Sequence, residues 1–120
     1  MVLVDTSVWV AHLRDGDSEL ATLLNNGMVL CHPLIIGELA CGNLKDRAVI
    51  LFFLKFLPRC IEAEHEEVLS FIENNRIMGK GIGYIDAQLV ASAVLTGVPI
   101  WTLDKKLTQV ADALHIKYKN

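Results

Sequence analysis

Val2-Leu3-Val4-Asp5-Thr6-Ser7 opens the chain as an apolar run that stops at an acid and passes into two hydroxyl residues. An apolar run this short, bounded by polar residues, reads as a buried strand. Pro99-Ile100-Trp101-Thr102-Leu103-Asp104 repeats the plan near the other end. Between the two, strand-like runs alternate with helical patterns. A strand that ends in an acid, twice, in such a chain puts acids at the carboxyl edge of a parallel sheet. That edge is where open α/β sheets place their sites.

Working outward, strands are predicted over 2–4, 28–31, 60–62, 99–103 and 116–118. Helices are predicted over 6–14, 18–26, 33–41, 45–57, 64–78, 84–96 and 105–114. Asp17 suits a helix cap, Pro33 a first helical turn, and Gly27 and Gly97 act as stops. The glycines at 79, 81 and 83 break the chain before the helix over 84–96. They lack the Lys-Ser/Thr ending of a phosphate loop and follow a helix rather than a strand. The alternation calls for an α/β fold with a parallel sheet and helices on both faces. No repeat, linker or low-complexity segment divides the chain, so residues 1–120 read as one domain.

The helix over 84–96 carries the chain about 16 Å from Asp86 at ~1.5 Å per residue. The strand after Gly97 returns about 16 Å at ~3.3 Å per residue. Asp86 and Asp104 therefore meet at one edge, and Asp5 joins them if its strand lies parallel and adjacent. Glu38, in Leu34-Ile35-Ile36-Gly37-Glu38-Leu39-Ala40, lies beyond the end of the second strand and has the longer reach. Each acid also has a plainer reading. Asp5, Asp86 and Asp104 can each cap a helix, and Glu38 can face solvent on an amphipathic helix. The joint pattern favours convergence. Crowded acids repel, so they call for a cation, and oxygen-only ligands favour Mg²⁺ or Mn²⁺.

Composition sets bounds. With 52% hydrophobic residues and a mean hydropathy of +0.40, the chain can build a core and still spare apolar surface for a partner. The longest strongly apolar stretch, 48–57, is too short to span a bilayer. No basic, apolar leader opens the chain, so no signal peptide is expected. Cys31, Cys41 and Cys60 form no metal or redox motif and read as buried thiols in a reducing cytoplasm. The formal charge of −3 is not that of a protein binding nucleic acid by charge alone, but taking away the four suspected ligands leaves +1. His12, His32, His65 and His115 show no ligand spacing and read as structural or exposed. Trp9 and Trp101 read as core residues before base-stacking ones. Arg14, Lys80, Lys105 and Lys106 are candidates for contacts to nucleic-acid phosphates, each with a solvated surface charge as the plainer reading.

Four segments together carry a resemblance: Val4-Asp5-Thr6-Ser7-Val8-Trp9, Glu38-Leu39-Ala40-Cys41-Gly42, Gly81-Ile82-Gly83-Tyr84-Ile85-Asp86-Ala87-Gln88-Leu89-Val90-Ala91 and Thr102-Leu103-Asp104. In this order the chain resembles a PIN domain, and within that family the short ribonuclease toxins of VapBC toxin–antitoxin modules. The resemblance implies a three-layer fold with a short parallel sheet in the order 3-2-1-4-5. It implies that Asp5, Glu38, Asp86 and Asp104 are catalytic metal ligands, with Thr6, Ser7 and Thr102 supporting them. It further implies Mg²⁺- or Mn²⁺-dependent endoribonuclease activity on structured RNA such as tRNA or ribosomal RNA, inhibiting translation. A homodimer is implied, and so is a small VapB-like antitoxin whose tail covers the acids, DNA being met only through that antitoxin. No membrane partner is implied.

The chemistry agrees with the acids. Hydrolysing a phosphodiester needs an activated water and charge relief at phosphorus and the leaving oxygen, all of which carboxylate-held Mg²⁺ supplies. Two other α/β classes fit worse. A phosphoacceptor receiver domain needs an acid pair at the first strand and an acid after the third, and this chain offers neither. A haloacid-dehalogenase-type phosphatase needs a second Asp where Ser7 stands. A PIN scaffold that only binds partners is the remaining alternative. The apolar helix over 45–57 reads as one shared with another chain, against the alternative of a wholly internal core helix.

Overall fold

The computed structural model describes residues 1–119. The chain runs β1 (Val2–Val4), α1 (Thr6–Asp15), α2 (Ser18–Asn25), β2 (Val29–Leu30), α3 (Pro33–Ala40), α4 (Arg47–Lys55), α5 (His65–Asn75), α6 (Tyr84–Thr96), β3 (Ile100–Trp101) and α7 (Lys105–Ala113). β1 is central, parallel to β2 through Val2↔Val29 and Leu3↔Leu30, and parallel to β3 through Leu3↔Ile100 and Val4↔Trp101. Every residue of the three strands is buried. That is why these runs are apolar throughout rather than alternating.

The order β2-β1-β3 is the centre of the anticipated 3-2-1-4-5 arrangement. The two outer strands differ from expectation. Each is a single parallel bridge, Cys31↔Arg59 on one side and Ile100↔Lys117 on the other. Cys31 N–H donates to Pro58 and Cys60 N–H to Cys31; Ile100 N–H donates to Ile116 and Tyr118 N–H to Ile100. Pro58 has no N–H to donate, which limits pairing on the first side. On the second, His115 at φ 59° turns the chain out of α7 just before the bridge, so pairing starts late.

Local signals set the helix limits. Asp17 accepts from the Leu20 N–H, Pro33 stands in the first turn of α3, and Gly97 ends α6 at φ 77°. α5 is shorter than anticipated, ending at Arg76 with φ 52°, and a capping box between Glu64 and Glu67 starts it. The core gathers β1, β2 and β3 with Trp9, Leu20, Ile35, Leu39, Leu54, Leu89 and Leu107. Burying one such side chain contributes about 1.5–3 kcal/mol.

α4 stands apart. Leu54 is its one fully buried residue, whereas Val49, Phe52 and Phe56 are 68%, 65% and 73% exposed. Phe52 and Phe56 lie against each other, ring centres 4.9 Å apart, and Phe53 is also exposed. This helix is not the internal core helix that was the alternative. Among the cysteines, Cys31 and Cys60 are buried as expected, but Cys41, following α3, is exposed. Burial pushes the Cys31 thiol up and the Cys60 thiol up to about 11. No helix among the described residues is long and apolar enough to cross a membrane.

Candidate active site

The parallel register puts Asp5 and Thr102 side by side, one residue beyond β1 and β3. Asp5 is 95% buried, and one of its oxygens does all the bonding. Oδ2 accepts from Ser7 Oγ at 2.8 Å, from Thr102 Oγ1 at 2.8 Å and from the Ser7 backbone N–H at 3.4 Å. Oδ1 accepts nothing among the described residues. It is not a sealed, unpartnered atom either, a condition met among them by Trp9 Nε1 alone. The hydroxyls also tie the two strand ends together. The Leu103 N–H donates to Ser7 Oγ at 2.9 Å and the Asp104 N–H to Thr102 Oγ1 at 3.0 Å.

Asp104 and Glu38 repeat the pattern. Asp104 Oδ1 caps α7 by accepting from the Leu107 N–H at 2.8 Å. Glu38, on the second turn of α3, accepts from Thr6 Oγ1 through Oε1 at 2.7 Å. In each, the second oxygen takes no hydrogen bond among the described residues. The capping reading thus holds for Asp5 and Asp104, and it leaves one oxygen of each free of hydrogen bonds among the described residues. Asp86 does not cap its helix. Gly83 holds that place, and Asp86 is the third residue of α6.

Electrostatics joins the four acids. The Asp86 carboxyl is raised to about 6, first by burial and then by Asp5, Asp104 and Glu38, while the Gly83 backbone N–H pulls it down. A carboxylate that feels three others in this way has them as neighbours. Among the described residues no three acid, His or Cys groups draw together closely enough to chelate one ion. Hydroxyls hold Asp5 and Glu38 from behind, and the Leu107 N–H holds Asp104. The oxygen-only donor set, with one free oxygen on each of Asp5, Glu38 and Asp104, fits a hard divalent cation. α1, α6 and α7 begin at this site, so their positive ends face it, which favours anions beside the acids.

The candidate phosphate contacts are dispersed. Lys105 is the first residue of α7, beside Asp104. Arg14 lies about 12 Å along α1 from Thr6 at ~1.5 Å per residue, paired with Asp15 at 2.8 Å. Lys80 and Lys106 both line a separate cavity. Trp9 is buried and Trp101 packs on Tyr118 with ring centres 5.2 Å apart, so both belong to the core.

His32 is the residue the sequence reading undervalued. Its Nδ1 accepts from the Leu34 N–H at 3.0 Å and caps α3, so Nε2 carries the proton facing Ser92 Oγ at 3.3 Å. Ser92 Oγ donates to Gln88 Oε1 at 3.0 Å and accepts from the Ala63 N–H; Gln88 Nε2 donates to the Ala63 carbonyl at 2.7 Å. The network pins α3, which carries Glu38, to α6, which carries Asp86. The signal was Gln88 and Ser92, two polar residues one turn apart within an otherwise apolar stretch.

Comparison with known proteins agrees with this geometry. The PIN domain profile matches residues 2–113. A protein named Ribonuclease VapC32, from two strains of Mycobacterium tuberculosis (CDC 1551 / Oshkosh and ATCC 25618 / H37Rv), is 45% identical over 108 residues in each case. The match covers 89% of this chain and 87% of the relative. The chain belongs to the PIN-domain family and stands with its VapC members.

Proposed function

We propose that this protein is a Mg²⁺- or Mn²⁺-dependent endoribonuclease, the toxin of a toxin–antitoxin module, working as a single domain in the cytoplasm. Its substrate would be structured RNA such as tRNA or ribosomal RNA, whose cleavage halts translation. The observation that carries the reading is the half-held state of the acids. Asp5, Glu38 and Asp104 each grip the scaffold through one oxygen and keep the other free. The fourth acid, Asp86, is raised to about 6 among them. A purely structural capping role explains the bonded oxygens but not the repulsion suffered by Asp86. The name of the VapC relatives supports RNA as the substrate.

Asp5, Glu38, Asp86 and Asp104 would hold the cation, which when bound supplies water activation and charge neutralisation at the phosphate. The chain's own residues prepare that site. Ser7 and Thr102 fix the Asp5 carboxylate through Oδ2 and leave Oδ1 free, and Thr6 does the same for Glu38 through Oε1. Asp86 must be ionised to bind, so the cation displaces its proton, and binding weakens as pH falls below about 6. The N-terminal ends of α1, α6 and α7 attract the phosphate into an acidic cleft that would otherwise repel it. Lys105, next to Asp104, is placed to meet a neighbouring phosphate.

The exposed aromatic face of α4 supports partners. Phe52 and Phe56, packed on each other, and the exposed Phe53 offer apolar surface that a homodimer contact or a VapB-like antitoxin would cover. A basic residue on the antitoxin, paired with Asp5 or Asp86, would compete with the cation. Antitoxin and Mg²⁺ would then weaken each other by linkage. DNA would be contacted only through the antitoxin. RNA 5′-end sequencing after induced expression of wild type and Asp5→Asn tests the proposal. New ends confined to the wild type support it, and identical end profiles refute it.

A further inference from the structure

A cavity of about 220 Å³ lies between the end of α5 and one face of α7. On α7 it is lined at positions 106, 109, 110 and 113, the stripe one helical face presents. Its floor is apolar, with Ile77 and Val110 buried beneath it. Its rim carries Arg76, Lys80 and Lys106 together with the amides of Asn75 and Gln109, and no acid lines it. The three cations are unspent. Among the described residues the one ion pair is Arg14–Asp15, and none of the hydrogen bonds involves the side chain of Arg76, Lys80 or Lys106. In a chain with a formal charge of −3, three unpaired cations around one concavity mark it for an anion.

The backbone holds this rim in place. Arg76, which lines the cavity, takes the left-handed conformation at φ 52° that ends α5. Gly81, at φ 83°, leaves room for the Lys106 side chain, which occupies the space its Cβ would fill. Lys106 therefore lies against the glycine loop that leads into α6 and Asp86. The middle of the stripe stands about 8 Å along α7 from Asp104 at ~1.5 Å per residue. That spacing suits the nucleotides next to a bond cut at the acids.

We propose that this cavity is a nucleotide subsite for the RNA strand, receiving one unstacked base that flanks the cleaved bond. The apolar floor takes the ring, Asn75 and Gln109 offer donors and acceptors to its edge, and Arg76, Lys80 and Lys106 meet its phosphate. Single-stranded RNA is read in this way, by splayed bases bonded on their edges. The volume is below the ~300–1,000 Å³ typical of pockets that enclose a drug-sized ligand, so it admits one base and not a longer segment. The site would give the protein sequence preference at one position. The inference deepens the ribonuclease reading and rests on it for the identity of the strand.

The test separates binding from cleavage. Backbone amide resonances of the Asp5→Asn protein are followed while each ribonucleoside 5′-monophosphate, each nucleoside and inorganic phosphate is added in turn. Saturable shifts at residues 75–80 and 106–110, larger for one or two of the monophosphates than for phosphate alone, are expected. Equal shifts with phosphate alone, or none with any nucleotide, would overturn the subsite. A second arm measures steady-state cleavage by wild type and by Arg76→Gln combined with Gln109→Ala, with circular dichroism to confirm folding. Here kcat/KM should fall about tenfold through KM, as for loss of a base-edge contact, with the preference at one nucleotide relaxed. Unchanged kcat/KM and preference, including the case where the variant loses antitoxin affinity instead, would also overturn it. Nucleotide shifts in a protein whose wild type cuts no RNA would sustain the subsite and refute the ribonuclease reading, so the two failures are distinct.

Discussion

Replacing Asp86 by Asn should make the metal-free protein more stable while abolishing its activity. In the folded state the carboxyl is raised from 3.8 to about 6, by burial first and by Asp5, Asp104 and Glu38 next. A group whose folded pKa is raised favours the fold when protonated. Its favourable contribution is complete below pH 3.8 and is lost as pH rises through about 6. A shift of two units corresponds to about 3 kcal/mol. The site is partly open to solvent, and screening brings that to about 1–2 kcal/mol. Asn keeps the shape and removes the charge. At pH 8 in EDTA, denaturant or thermal melts should show Asp86→Asn more stable than wild type by that amount, a gain of roughly 3–5 °C in Tm for each kcal/mol in a domain of this size. At pH 3 the two should coincide, and with Mg²⁺ at pH 8 the order should narrow or reverse as the cation binds and stabilises the wild type alone. A variant less stable than wild type at pH 8 without metal would show that Asp86 is not held against its neighbours' charge.

Asp5→Asn should cut RNA cleavage by at least about 100-fold, the order expected for deleting a metal-held electrostatic contribution, with folding unaffected by circular dichroism; cleavage within a few-fold of wild type would remove Asp5 from the site. Phe53→Glu should leave the monomer's stability within about 0.5 kcal/mol, because the side chain is exposed, yet abolish antitoxin binding or dimerisation in analytical ultracentrifugation; unfolding of the isolated protein would return α4 to the core. His32→Ala should cost about 2–4 kcal/mol in urea melts, since it removes the α3 cap and leaves Ser92 short of a partner. Burial lowers the His32 pKa, so the wild type should lose stability as pH falls below 6.5, and this loss should be missing in the variant.

Much of this was legible because the decisive signals are local. Val2-Leu3-Val4-Asp5 and Trp101-Thr102-Leu103-Asp104 gave the shared edge of the sheet, since an apolar run ending in an acid has few other places to go in a parallel sheet. Gly83 and Gly97 bracketed α6, and the matched lengths of that helix and the strand after it put Asp86 and Asp104 at one edge. The outer strands were legible in place, at 60–62 and 116–118, but not in length, because nothing in those runs says that each pairs through a single bridge, at Arg59 and at Lys117. The apolar run over 45–57 suggested a helix shared with another chain, but not which of its residues stay exposed. Val49, Phe52 and Phe56 look the same whether they face a core or a partner, and only the packing of the other helices decides. The Arg76–Lys106 cavity was hidden for a related reason. Its two walls lie thirty residues apart, and Arg76 counts as an ordinary surface charge until α5 is seen to end on it.

The central claim is that four carboxylates at one sheet edge hold a divalent cation for cutting RNA. Its most direct test is cleavage of purified structured RNA by the purified protein, mapped to the nucleotide, with Mg²⁺, with Mn²⁺ and with EDTA. The account predicts cuts at discrete positions with either metal, none in EDTA, activity restored when Mg²⁺ is added back, and loss of all cuts in Asp5→Asn and Asp86→Asn. Equal cleavage in EDTA, or undiminished cleavage by both variants, would contradict it.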